Sequence, residues 1–267
     1  MTLSSPATYG ELLERMRHES PLVQCITNFV AMNFAANVLL AAGASPAMVH
    51  APEEAGEFAR LAGALTINIG TLSSSWLDGM LRAAAAANEV GRPWVLDPVA
   101  HFATGFRRQA IDALLQHRPT VIRGNASEIM ALAGEASAGR GVDAGDSVER
   151  AQASATALAQ RSGAVVAVTG AVDWVTDGQR ALRIAGGSEL MPRVTAMGCA
   201  LTCLIGALVA VAPQSPLAAT ASALACFGAA GSRAAQQATG PGSFAWRFID
   251  ALDALHASEL AAQVTPA

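Results

Sequence analysis

A chain of 267 residues with 17 basic and 21 acidic side chains carries a formal net charge of −4, which excludes a broad basic face for nucleic acid. Every basic residue is arginine, so a lysine-dependent phosphate loop and a lysine Schiff base are excluded; any phosphate chemistry must use arginine, backbone N–H groups and metal. Apolar residues make up 52% and charged residues 14%, enough for one sizeable core, and the abundance of alanine suits closely packed helices or a buried oligomer face.

The N-terminal stretch MTLSSPATYGELLERMRHES lacks the apolar centre of a signal peptide, and the apolar run near 201–213 is short for a membrane span. A cytoplasmic protein that binds no membrane is expected. Five short apolar runs read as buried parallel strands: PLVQCI (21–26), ALTINIG (64–70), PWVLDPV (93–99), PTVIRGN (119–125) and GAVVAVTG (163–170). Helical stretches lie between and after them, over Thr27–Ala42, Ser74–Glu89, Gly105–His117, Ala126–Leu132 and Ser147–Arg161. GEASAGRGVDAGDS (134–147) reads as a glycine-rich loop at the sheet edge. AVDWVTDGQRALRI (171–184) reads as a hairpin turning at Thr176-Asp177-Gly178. Three more helices follow, over Thr195–Val211, Pro216–Ala235 and Pro241–Leu260. The order implies a single α/β domain of layered type, with a mostly parallel sheet and a helical C-terminal third.

In open α/β sheets ligands gather beyond the C-terminal strand ends. Each end here offers polar or glycine groups: Thr27-Asn28, Gly70-Thr71, Asp97-Pro98, Arg123-Gly124-Asn125 with Glu128 a turn later, and Thr169-Gly170. Asp97 and Glu128 are the carboxylates placed to hold Mg²⁺, which keeps several waters and borrows phosphate oxygens. Asp97 also reads as a strand-end turn before proline, and Glu128 as the reciprocal partner of an Asn125 helix cap. Arg123, at the end of an apolar strand, needs a phosphate or a carboxylate, the latter being Asp97 or Glu128. Thr169-Gly170 suits either a phosphate contact or a plain turn.

The stretch VTAMGCALTCLIGALVA (194–210) resembles a loop running into a helix, whose free N–H groups and dipole attract anions. Cys199 stands at the junction, where the helix field is expected to lower its pKa. Cys25, Cys203 and Cys226 lie in apolar contexts with no CxxC spacing, so a disulfide framework or zinc site is not expected. Cys203 and Cys226 read as plain core residues.

Six segments together carry a resemblance: VQCITNFVAMNFAANVLLAAGASPAM (23–48), INIGTL (67–72), VLDPVA (95–100), IRGNASEI (122–129), VTG (168–170) and VTAMGCALT (194–202). They resemble the hydroxyethylthiazole kinases of thiamine salvage, in the ribokinase-like superfamily, and the likeness spans Pro21 to about Leu260. The resemblance implies a ribokinase-like three-layer fold and transfer of the ATP γ-phosphoryl group to 4-methyl-5-(2-hydroxyethyl)thiazole. It implies ATP contacts at Arg123 and Thr169, with Asn125 and Glu128 in the superfamily's N-x-x-E magnesium motif. It places Met48, Asn28 and Gly70 around the thiazole, with Ala196 and Gly198 in the phosphate loop beside it. Cys199 falls where related kinases carry an aspartate base. A homotrimer, with thiazole near a subunit boundary, is also implied. The family loop reads Thr-Gly-x-Gly-Cys, and here Ala196 replaces its first glycine. Other readings are a hydroxymethylpyrimidine-type kinase, a thiazole-binding protein with impaired catalysis, and a cysteine hydrolase built on Cys199.

Overall fold

The computed structural model describes residues 6–135 and 147–267. In chain order the first half comprises α1 (Pro6–Glu19), β1 (Leu22–Ile26), α2 (Met32–Ala42), β2 (Ser45–Ala47), α3 (Ala55–Leu61), β3 (Ala64–Asn68), α4 (Ser74–Glu89), β4 (Trp94–Asp97), α5 (Gly105–Leu115), β5 (Val121–Asn125) and α6 (Ala126–Ala133). The second half adds α7 (Val148–Ser162), β6 (Val165–Thr169), β7 (Asp173–Thr176), β8 (Ala181–Ile184), α8 (Met197–Val211), α9 (Pro216–Ala235), α10 (Pro241–Asp253) and β9 (Val264–Pro266).

Among the described residues nine strands join one sheet in the order β2-β1-β3-β4-β5-β6-β7-β8-β9. Pairing is parallel from β2 through β6. It is antiparallel from there to β9. Alternation along each strand sends successive side chains to opposite faces. Val23, Cys25, Val95, Val121 and Ala167 pack on one face, with α1, α2, α8, α9 and α10. Leu65, Ile67, Trp94 and Leu96 pack on the other with α4 and α5, and Ile122, Val166 and Val168 with α6 and α7. Three layers result, helix–sheet–helix, as the sequence implied. None of the helices among the described residues is long and apolar enough to cross a membrane.

Several boundaries differ from the sequence reading. The helix read from Thr27 begins at Met32, because Asn28 folds the intervening residues into a turn: its carbonyl accepts from Ala31 N at 3.0 Å and Met32 N at 3.2 Å, and its Oδ1 from Ala31 N at 3.1 Å. The strand read over 93–99 stops at Asp97, since Pro98 has no N–H for the ladder. The last helix ends at Asp253. The hairpin turns over 177–180, where Asp177 Oδ1 accepts from Gln179 N and Arg180 N. The loop read over 134–147 falls mostly outside the described residues.

The helix read from Thr195 begins at Met197, with Ala196 as its N-cap in the left-handed region at φ 67°, ψ 2°. Ala196 therefore occupies a backbone conformation that suits glycine. A Cβ there costs about 1 kcal/mol. Ala196→Gly is expected to raise the urea midpoint by the equivalent of about 1 kcal/mol with an unchanged denaturant slope; an unaltered or lower midpoint contradicts the strain.

Candidate active site

Residues two apart on a strand share a face, so Thr66 and Asn68, Val95 and Asp97, Val121 and Arg123, and Ala167 and Thr169 all project from the sheet face that α8 and α9 cover. Asn68, Asp97, Arg123 and Thr169 are each the last or a late residue of a parallel strand. They form a polar row across four neighbouring strand ends, and the N-terminus of α8 lies on that row.

Asp97 is at its centre, with 0% exposure. Its Oδ2 accepts from Asn68 Nδ2 at 2.8 Å, Thr202 Oγ1 at 2.8 Å and Arg123 Nη1 at 3.5 Å. Its Oδ1 is buried and has no partner. Burial pushes the Asp97 carboxyl above its ordinary range, against the opposing pull of Arg123, Thr202 and Asn68. Arg123 Nη2 donates to Thr169 Oγ1 at 2.6 Å, while its buried Nε is left without a partner. The guanidinium lies against Gly198: a Cβ built there would stand 2.7 Å from Arg123 Nη1, so glycine lets the arginine reach the helix end. Of the readings open for Arg123, the Asp97 ion pair is the one seen, and Nε remains as an unspent donor.

Glu128 is 4% exposed and closes a capping box: Asn125 Oδ1 accepts from Glu128 N at 2.9 Å, and Asn125 N donates to Glu128 Oε2 at 2.8 Å. Its other oxygen accepts from Ala100 N at 2.9 Å, tying β4's exit loop to α6. Burial, then the Asp97 charge, pushes the Glu128 carboxyl up to about 7. Two mutually repelling carboxylates, one with a free buried oxygen, fit a small hard dication that takes its other ligands from water and phosphate. Among the described residues no group of three His, Cys, Asp or Glu side chains is arranged to hold a metal by itself.

Cys199 Sγ accepts from Asn28 Nδ2 and Asn68 Nδ2, each at 3.3 Å. The expectation of a lowered thiol pKa is overturned. Burial, and then the charge of Asp97, push it up to about 12, outweighing Asn28 and Arg123. The helix end is present, but the thiol is desolvated beside a carboxylate. Cys25, Cys203 and Cys226 are buried free thiols, as expected of core residues.

Asn28 and Gly70 meet at one edge of the row. A Cβ on Gly70 would lie 2.6 Å from Asn28 Nδ2, so the absence of a side chain makes room for the amide. Met48 follows β2, beside the end of β1, and packs partly buried against the core on the α8 side. The row thus brings together Asn28, Gly70, Asp97, Arg123, Thr169, Gly198 and Cys199, with Asn125 and Glu128 joined through the loop after β4.

Four contributors were missed by the sequence reading. Asn68 and Thr202 contact Asp97 directly. Arg107 donates from Nη1 to Ile69 O and Val99 O, both at 2.8 Å, and from Nη2 to Gly70 O, clamping the exit loops of β3 and β4. Asp173 Oδ1 accepts from Gly170 N at 2.8 Å, next to Thr169. Burial pushes the Asp173 carboxyl up to about 7. A raised carboxyl favours the folded state fully at pH below its unfolded value, and that contribution is lost as pH rises through about 7. Asp173→Asn, which keeps a neutral acceptor for Gly170 N, is expected to melt higher than the parent above that pH and to flatten the decline. Equal slopes of melting temperature against pH contradict this.

A ribokinase-like superfamily protein of Enterococcus faecalis superposes with a TM-score of 0.64 at 12% identity, covering 91% of this chain and 93% of that one. The fold is ribokinase-like. The structure of a hydroxyethylthiazole kinase from Pyrococcus horikoshii matches far more closely, with a TM-score of 0.89 at 44% identity over 97% of this chain and 98% of that one. A hydroxyethylthiazole kinase of Rhizobium johnstonii is 65% identical over 261 residues, 98% of each chain. The profile of the hydroxyethylthiazole kinase family matches residues 13–258. The chain belongs to the hydroxyethylthiazole kinase family.

Proposed function

We propose that this chain transfers the γ-phosphoryl group of ATP to the hydroxyl of 4-methyl-5-(2-hydroxyethyl)thiazole, serving thiamine salvage in the cytoplasm. The observation that carries the mechanism is the meeting of α8's N-terminus with Arg123 and the half-satisfied Asp97 at the strand ends.

Phosphoryl transfer leaves the protein little covalent work, so catalysis is positioning and electrostatics. Arg123 and Thr169 bind the polyphosphate, with the unpartnered Nε and the Nη groups of Arg123 as donors and Asn125 beside them. Free N–H groups at Gly198 and Cys199 receive the migrating phosphoryl. Asp97, with its free oxygen, and Glu128, acting through water, would hold Mg²⁺, which when bound offsets phosphate charge. Met48, Asn28 and Gly70 line the alcohol's pocket, and Ala196 bounds it at the loop.

Cys199 stands against the hydroxyl. With its thiol pushed up to about 12, almost no thiolate exists at neutral pH, so Cys199 orients the alcohol, and the proton leaves late. The same pKa argues against a cysteine hydrolase, and the thiol's partners are two amides rather than a histidine. Cys199→Asp is expected to hold or raise kcat: burial and the Asp97 charge would lift the new carboxyl toward neutrality, a better match for a general base. Collapse of kcat to background with an unchanged circular dichroism spectrum contradicts this role.

A homotrimer is supported by the apolar residues left exposed on α2 and just before it, Leu40 at 61% and Phe29 at 70%. Coupled ADP release tests the proposal, with the thiazole alcohol set against hydroxymethylpyrimidine. Turnover that prefers the thiazole alcohol is expected. Preference for the pyrimidine would assign the other substrate, and no turnover on either would sink the kinase reading.

A further inference from the structure

Asn68 ends β3 and is 3% exposed. Its Oδ1 accepts from Gly70 N and from Asn28 Nδ2, each at 2.9 Å. Its Nδ2 donates to Asp97 Oδ2 at 2.8 Å and to Cys199 Sγ at 3.3 Å. Asn28 is fixed in the same way: Oδ1 accepts from Ala31 N, and Nδ2 donates to Asn68 Oδ1 and Cys199 Sγ. The backbone donors Gly70 N and Ala31 N set which end of each amide is oxygen, so neither amide can flip without losing bonds. All four amide hydrogens are committed, and two of them converge on one sulfur.

A thiol sulfur has two lone pairs and one hydrogen. With both lone pairs facing amide donors, its hydrogen is the polar group left for a ligand. Among the described residues no carbonyl accepts that hydrogen, and Cys199 is only partly buried. We infer that Asn68 is a positioning residue: with Asn28 it holds Cys199 as a hydrogen-bond donor, its S–H aimed at the oxygen of the bound alcohol. The alcohol oxygen accepts from sulfur and keeps its own hydrogen. As its bond to phosphorus forms and the bond from phosphorus to the ADP oxygen breaks, that hydrogen passes to a phosphoryl oxygen, not to sulfur. The identity of the alcohol rests on the function proposed above; the direction of the S–H does not.

Infrared spectroscopy of the S–H stretch tests this, with the Cys199 band identified by its loss in Cys199→Ser. In the ligand-free protein a single narrow band is expected, and it should broaden in Asn68→Ala. Saturating the parent protein with thiazole alcohol should shift the band to lower frequency without removing it. Asn68→Ala should lose that shift and about ten-fold or more in kcat, with the KM for ATP unchanged. Asn68→Asp keeps the oxygen contacts but removes the donor, and should lose the shift likewise. A merely structural Asn68 would lower thermal stability and leave the band and kcat alone. A broad band in the free parent protein, or one that vanishes or stays put when alcohol binds while turnover is normal, overturns the inference and leaves the kinase reading standing. Absent turnover with a narrow band that broadens in Asn68→Ala does the reverse.

Discussion

Arg123→Met is expected to lower kcat/KM by about a thousand-fold while the chain stays folded. The guanidinium is the cation of the polar row, bound to Thr169 Oγ1 at 2.6 Å and paired with Asp97 at 3.5 Å. Methionine matches its stem but supplies no donor to phosphate. The cost to the fold is smaller than for a stranded ion, because the Asp97 carboxyl keeps Asn68 Nδ2 and Thr202 Oγ1 as donors and burial biases it toward its neutral form. About 1–3 kcal/mol is expected in urea unfolding, the range for lost hydrogen bonds rather than an unpaired charge. Turnover within ten-fold of the parent would remove Arg123 from the machinery.

Asp97→Ala is expected to abolish measurable turnover and to cost about 3–5 kcal/mol. Three donors, Asn68 Nδ2, Thr202 Oγ1 and Arg123 Nη1, would lose their common acceptor, and Arg123, its side chain only 12% exposed, would lose the carboxylate it pairs with. Asp97→Asn separates the two losses. The isosteric amide retains an oxygen for these donors and should recover much of the stability, yet activity should stay absent at any Mg²⁺ concentration. Recovery of activity by the amide would show that Asp97 serves the fold alone.

The strand ends were legible in the sequence because each apolar run stops at a polar or glycine residue, and that is where parallel sheets gather ligands. Asn68 gives no separate signal inside ALTINIG, which reads whole as buried strand. Alternation with Thr66 would have placed Asn68 on the face of α8. Thr202 escaped inside an apolar helix, where a hydroxyl gives no pattern. α1 is absent from the sequence reading, although Tyr9, Leu12, Leu13 and Met16 have the spacing of a buried helical stripe, and all four are buried. β2 and β9, of three residues each, are too short to carry a period.

The expectation of a lowered Cys199 pKa failed on a non-local effect. A helix N-terminus is a local feature and argues for a lowered pKa. Burial, and a carboxylate brought in from β4, are tertiary features and decide the opposite sign. Ala196 went the other way, since the glycine expected at that place in the loop already posed the question of a left-handed backbone. The structure answers it at φ 67°.

The most direct test of the whole account is phosphorus NMR of the protein with MgATP and 4-methyl-5-(2-hydroxyethyl)thiazole. A phosphate monoester signal growing in step with ADP is expected, as is its absence with Arg123→Met. ATP consumed to inorganic phosphate with no ester, or ATP left untouched, would contradict it.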